Sequence, residues 1–68
     1  MKNGIPNKVA EFRLTKDLTQ EELAKMVGVS RQSIISIEKE DCEPSVCLAI
    51  KIAKFFNKQV EEVFFLPN

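Results

Sequence analysis

Apolar residues recur at intervals of three and four along most of the chain, broken by short polar stretches, which is the pattern of a small helical bundle. Val9 and Phe12 lie three apart, so the spacing predicts a first helix over about Asn7 to Lys16, with Pro6 suited to its first turn. Thr19 followed by Glu22 is a capping box, which starts a second helix near Gln20. Leu23, Ala24 and Val27 continue it to Gly28, a residue that reaches positive φ without steric cost and so ends a helix. Ser30 is a second N-cap, and Ile34 and Ile37 define the buried side of the helix after it. Pro44 and Ser45 start a fourth helix. There Leu48, Ile52, Phe55 and Phe56 form one side, and Ala49, Ala53, Val46 and Ile50 continue round it. A helix apolar over more than half its circumference is expected to be central and buried against several neighbours. Asn57 reads as its stop, and Val60 to Phe64 as a last short helix with Val60, Val63 and Phe64 inward. The expectation is an all-α, compact five-helix bundle in a single domain over residues 1–68.

The run LTQEELAKMVGVSRQSI, followed by IE and then EPS, resembles the Cro/C1-type (XRE-like) helix-turn-helix family of transcriptional regulators, and among them the small stand-alone members. The resemblance extends from about Val9 to Phe64. It is specific because the TQ-x-x-LA start, the GVS turn, the I-x-x-IE run and the following PS all occur in register. It implies a lambda-repressor-like fold with the helix-turn-helix unit at about 19–39. It also implies dimerisation through a segment at about 59–68, with a short extended tail or strand at the interface. By the same resemblance Gln20 and Ser33 are expected at DNA phosphates, with Lys39 a candidate for that role, and Arg13 and Glu38 are expected to pair. The chain departs from the family at Lys39-Glu40-Asp41-Cys42, where glycine or asparagine usually ends the recognition helix. A side chain held at a left-handed position costs on the order of 1 kcal/mol, so either Glu40 bears that cost or the helix ends differently.

The candidate reading face follows from helical geometry. Opposite Ile34 and Ile37 lie Gln32, Ser36 and Lys39, flanked by Arg31 and Ile35. Gln pairs bidentately with adenine, Arg with guanine, and an apolar group touches a thymine methyl, so base contact is assigned to Arg31, Gln32, Ile35 and Ser36. The competing reading is a solvated helix face, with Ile35 serving the core or a dimer contact.

Charge changes the picture. Ten basic and ten acidic residues give zero net charge, whereas proteins that rely on phosphate attraction are usually basic. Attraction to DNA would have to be local, through Lys8, Arg13, Lys16, Arg31 and Lys39. Acidic residues gather at Glu21-Glu22, from Glu40 to Glu43 and at Glu61-Glu62. The loop from residue 40 to 43 is expected to point away from the DNA backbone. The tail Phe64-Phe65-Leu66-Pro67 has more apolar surface than five short helices need, so dimer contacts are assigned to Val60, Phe64, Phe65 and Leu66. The alternative is that Phe65 folds back to cap the core. Cys42 and Cys47 read as free thiols, and without His no zinc site is expected.

No nucleophile–base pair or glycine-rich phosphate loop is present, so neither an enzyme nor a cofactor is expected. No stretch has the length of a signal peptide's apolar core or a membrane span, and a cytoplasmic location follows as an expectation. The functional expectation is a sequence-specific regulator of double-stranded DNA. It would be a repressor acting as a homodimer on a palindromic operator, with no membrane partner or small-molecule ligand. The alternative is an antitoxin-like protein-interaction module that binds DNA secondarily.

Overall fold

The computed structural model describes residues 4–66, so Pro67 of the expected tail and the end of the expected dimerisation segment at 59–68 lie outside it. Among the described residues five helices follow one another: α1 (Val9–Thr15), α2 (Gln20–Val27), α3 (Arg31–Glu38), α4 (Val46–Phe55) and α5 (Val60–Val63). Local chemistry sets their starts. The Thr19 hydroxyl accepts from Glu22 N–H while the Glu22 carboxylate accepts from Thr19 N–H, and Ser30 and Ser45 cap α3 and α4 through Ser33 N–H and Leu48 N–H.

Glycine ends one helix, and larger residues end three others. Gly28 has φ 78°, while Asp17, Glu40 and Asn57 have φ of 57°, 61° and 58°. At each of these three ends the chain closes with a pair of reversed hydrogen bonds, such as Glu40 N–H to Ile37 C=O and Asp41 N–H to Ser36 C=O. Glu40 therefore bears the left-handed conformation, and α3 ends where a glycine would have ended it.

The core is built from Val9, Leu23, Ala24, Val27, Ile34, Ile37, Ala49, Ile52, Ala53, Phe56, Val63 and Phe64. Phe12, Leu48, Phe55 and Val60 pack against it, partly buried. Two expectations about the chain's path are corrected. The first helix starts at Val9 rather than Asn7, because Pro6 and Asn7 are extended: Asn7 pairs antiparallel with Phe64, and Pro6 C=O accepts from Phe65 N–H. The tail is extended as expected, but it pairs with the chain's own residues 6–8, Phe65 N–H donating to Pro6 C=O and Lys8 N–H to Val63 C=O.

A further correction concerns α4. It packs chiefly on α2 and α5, so its inward side is covered while Val46 and Ile50 remain 78% and 42% exposed. No helix among the described residues is long and apolar enough to cross a membrane.

Candidate nucleic-acid interface

The turn Gly28-Val29-Ser30 delivers α3 against α2 with Ile34 and Ile37 inward, which leaves the opposite face of α3 to solvent. Arg31 and Gln32 are exposed on that surface, and Ile35 and Ser36 are half-buried. These four residues, assigned to base contact from the sequence, occupy one helix face. Gln32 Nε2 lies 3.4 Å from Ser36 Oγ, a long contact that leaves the amide's donor and acceptor available. Part of the Ile35 side chain is covered and part is not, so apolar surface is both packed and presented.

The residues expected at phosphates are placed differently from one another. Ser33 sits in the first turn of α3, where its hydroxyl lies 3.1 Å from that of Ser30 and its N–H donates to the Ser30 hydroxyl at 3.2 Å. First-turn N–H groups of Arg31 and Gln32 have no partner within the helix and point toward its N-terminal end, where an anion is favoured. Gln20 is half-buried, and its Nε2 donates to Glu38 Oε1 at 2.9 Å, which leaves one amide proton for any other acceptor. Lys39 is exposed at the C-cap of α3.

The face is anchored by charge. Arg13 Nε and Nη2 donate to Glu38 Oε2 and Oε1 at 2.7 and 3.3 Å, with the two side chains only 12% and 7% exposed. Arg13 Nη1 also donates to Leu18 C=O at 2.7 Å. One carboxylate at the last residue of α3 thereby holds α1, the α1–α2 turn and the first residue of α2 in register. This placement takes Arg13 out of the expected pool of DNA-facing cations. Arg13 is neutralised by Glu38, Lys16 sits over the Phe55 ring, and Lys8 lines a hollow with Glu61, Glu62 and Phe65. Arg31 and Lys39 remain as the cations carried by α3 and its cap.

Asn7 was not singled out from the sequence. Its Nδ2 donates to Ile5 C=O and to Ile37 C=O at 3.1 and 2.9 Å, and its Oδ1 accepts from Val9 N–H at 3.1 Å. It fastens the N-terminal segment to the last turn of α3 and satisfies the first N–H of α1, whose N-cap position is held by Lys8. An Asn just before a helix start is a signal of local backbone bonding, but nothing local points to Ile37. The four residues assigned to dimer contact also divide: Phe65 and Leu66 are exposed, Val60 is half-buried, and Phe64 is 5% exposed within the core. Phe64 has little surface left to offer a second chain.

Comparison with known proteins matches residues 9–63 to the helix-turn-helix family. An uncharacterized HTH-type transcriptional regulator of Methanocaldococcus jannaschii is 55% identical over 64 residues, which cover 94% of this chain and 97% of that protein. The cryptic phage CTXphi transcriptional repressor RstR of Vibrio cholerae is 32% identical over 57 residues, 84% of this chain and 51% of that protein. Among solved structures, the restriction-modification controller protein C.AhdI from Aeromonas hydrophila is similar with a TM-score of 0.74 at 27% identity, covering 81% of this chain and 83% of that one.

Proposed function

The chain belongs to the helix-turn-helix family of transcriptional regulators, and from that membership we propose that it is a repressor that binds a palindromic operator in double-stranded DNA as a homodimer. It is a regulator and not an enzyme. The observation that carries the base-reading part is the solvent-facing side of α3, where Arg31 and Gln32 stand exposed beside Ser36 and a half-covered Ile35. Such a face reads a major groove with its N-terminal side chains, and two copies related by a two-fold axis read half-sites about 10 base pairs apart. The repressor assignment draws on the similarity to RstR, a transcriptional repressor. The dimer assignment draws on exposed Phe65 and Leu66 beside α5. Ser33 and Lys39 contact phosphates, and Gln20 does so through its remaining amide proton.

With zero net charge and few free cations on the reading face, specificity rests on base contacts and the salt dependence is shallow. Selection of bound duplexes from a randomised library tests this reading, run in parallel with wild type and Gln32→Ala. Wild type is expected to enrich an inverted repeat. The variant is expected to lose about 1–3 kcal/mol and to relax one base position in each half-site. A folded protein that enriches no sequence refutes the base-reading assignment.

A further inference from the structure

A second surface lies outside this interface. Lys25 and Met26 at the C-terminal end of α2, with Lys51, Lys54 and Phe55 of α4, line an open groove of ≈ 570 Å³. Met26 is 63% exposed. Lys16 adds a further cation, its Nζ 5.8 Å from the centroid of the Phe55 ring. On the same exposed flank of α4, Ile50 lies one helical turn before Lys54, and Val46 one turn before that.

The groove is both apolar and one-signed. Among the described residues no carboxylate lines it. Among the described residues the ion pair is that of Arg13 with Glu38, so none of Lys16, Lys25, Lys51 and Lys54 has a carboxylate within salt-bridge distance. Half of the ten carboxylates lie in the 40–43 loop and on α5, and Glu21 and Glu22, one turn before Lys25 on α2, are not among the groove's lining residues.

Three kinds of occupant can be weighed against this chemistry. A nucleic-acid backbone would satisfy the ammonium groups but presents phosphates rather than apolar groups to Met26. A second copy placed face to face across a two-fold axis would set lysine against lysine, which like-charge repulsion disfavours. A segment that alternates apolar side chains with carboxylates satisfies both features. We infer that this groove docks an acidic amphipathic segment of another protein, with its apolar side chains on Met26 and Phe55 and its carboxylates on Lys25, Lys51 and Lys54. The groove shares no residue with Arg31, Gln32, Ile35 or Ser36, so docking and base reading are separable.

The test uses the full chain and a fluorescent helical peptide with Leu along one face and Glu elsewhere. Controls are the same peptide with Lys in place of Glu, poly-glutamate, and a random-sequence duplex. Binding is read by anisotropy, and the site by the ¹³C-methyl resonance of Met26. Saturable binding with a shifted Met26 methyl is expected, and no binding by the lysine peptide. Lys51→Glu with Lys54→Glu, and separately Met26→Gln, should each weaken the acidic peptide by about tenfold or more. All three positions are exposed, and circular dichroism verifies that the variants fold. An unmoved Met26 methyl at millimolar peptide overturns the proposal, as does poly-glutamate binding as tightly as the peptide. So does a lysine variant whose loss falls on the duplex instead, or whose sedimentation mass changes, since these identify a phosphate surface or a self-association surface. The peptide readout does not depend on whether library selection yields an operator, so the two readings fail independently.

Discussion

Replacing Glu38 by alanine isolates the charge that ties the helix-turn-helix together. The substitution removes acceptors for Arg13 Nε, Arg13 Nη2 and Gln20 Nε2, and leaves a guanidinium that is 12% exposed with Leu18 C=O as its remaining partner. Breaking a buried pair from one side costs about 3–5 kcal/mol. Residual solvent access at Arg13 lets water recover part of this, which brings the expected loss to about 2–4 kcal/mol. For 68 residues a total stability of roughly 3–10 kcal/mol is typical, so the variant should be marginal. Arg13→Met combined with Glu38→Leu strands no charge and should recover at least about 1 kcal/mol relative to Glu38→Ala. The chain has no Trp or Tyr, so urea unfolding is followed by far-ultraviolet circular dichroism rather than by fluorescence. In a thermal scan the single variant should melt about 10–25 °C lower. A loss below about 0.5 kcal/mol for Glu38→Ala would show that the pair is an ordinary surface contact. A double variant less stable than the single one would show that the pair itself, and not the stranded guanidinium, carries the energy.

Glu40→Gly relieves a side chain at φ 61° and should raise stability by about 0.5–1 kcal/mol after the added freedom of the unfolded chain is subtracted; a lower urea midpoint would contradict the strain. Gly4→Ala should lower it by about 1–2 kcal/mol, because the new Cβ would lie 2.6 Å from Cys42 O and 2.9 Å from Glu40 C, and hydrogen exchange at Gly4 N–H, which donates to Glu40 C=O, should accelerate. Unchanged exchange would show that the segment shifts without strain. Truncation after Phe64 removes exposed Phe65 and Leu66 and should shift the protein toward monomer in sedimentation at micromolar concentration. An unaltered mass would place the dimer contact elsewhere.

The features legible in the sequence are those that a few neighbouring residues decide. Thr19 with Glu22, Gly28, Ser30 and Ser45 each satisfy or release backbone groups within one turn, and the structure starts or ends helices at those positions. Periodicity likewise put Leu23, Ala24, Val27, Ile34 and Ile37 in the core, since helical geometry alone places them on common faces. The exposed row on α3 was legible for the same reason, as the complement of its buried isoleucines.

Tertiary structure decided what distant segments cover. The apolar girth of α4 predicted a buried spine, yet Val46 and Ile50 stay exposed because the neighbours of α4 lie on one side of it, and hydropathy counts apolar residues without knowing where partners are. Pro6 was compatible with a helix start, but Phe65 N–H and the Asn7–Phe64 pairing hold the segment extended. The cations were the least legible. Net charge is a sum over the chain, whereas attraction to DNA depends on which charges remain unpaired on one face. Folding pairs Arg13 with Glu38, sets Lys16 over Phe55 and gathers Lys25, Lys51 and Lys54 around one groove. Sequence settles local conformation because its energies act over one turn. Burial and charge depend on contacts between residues far apart in the chain, which only the packed fold brings together.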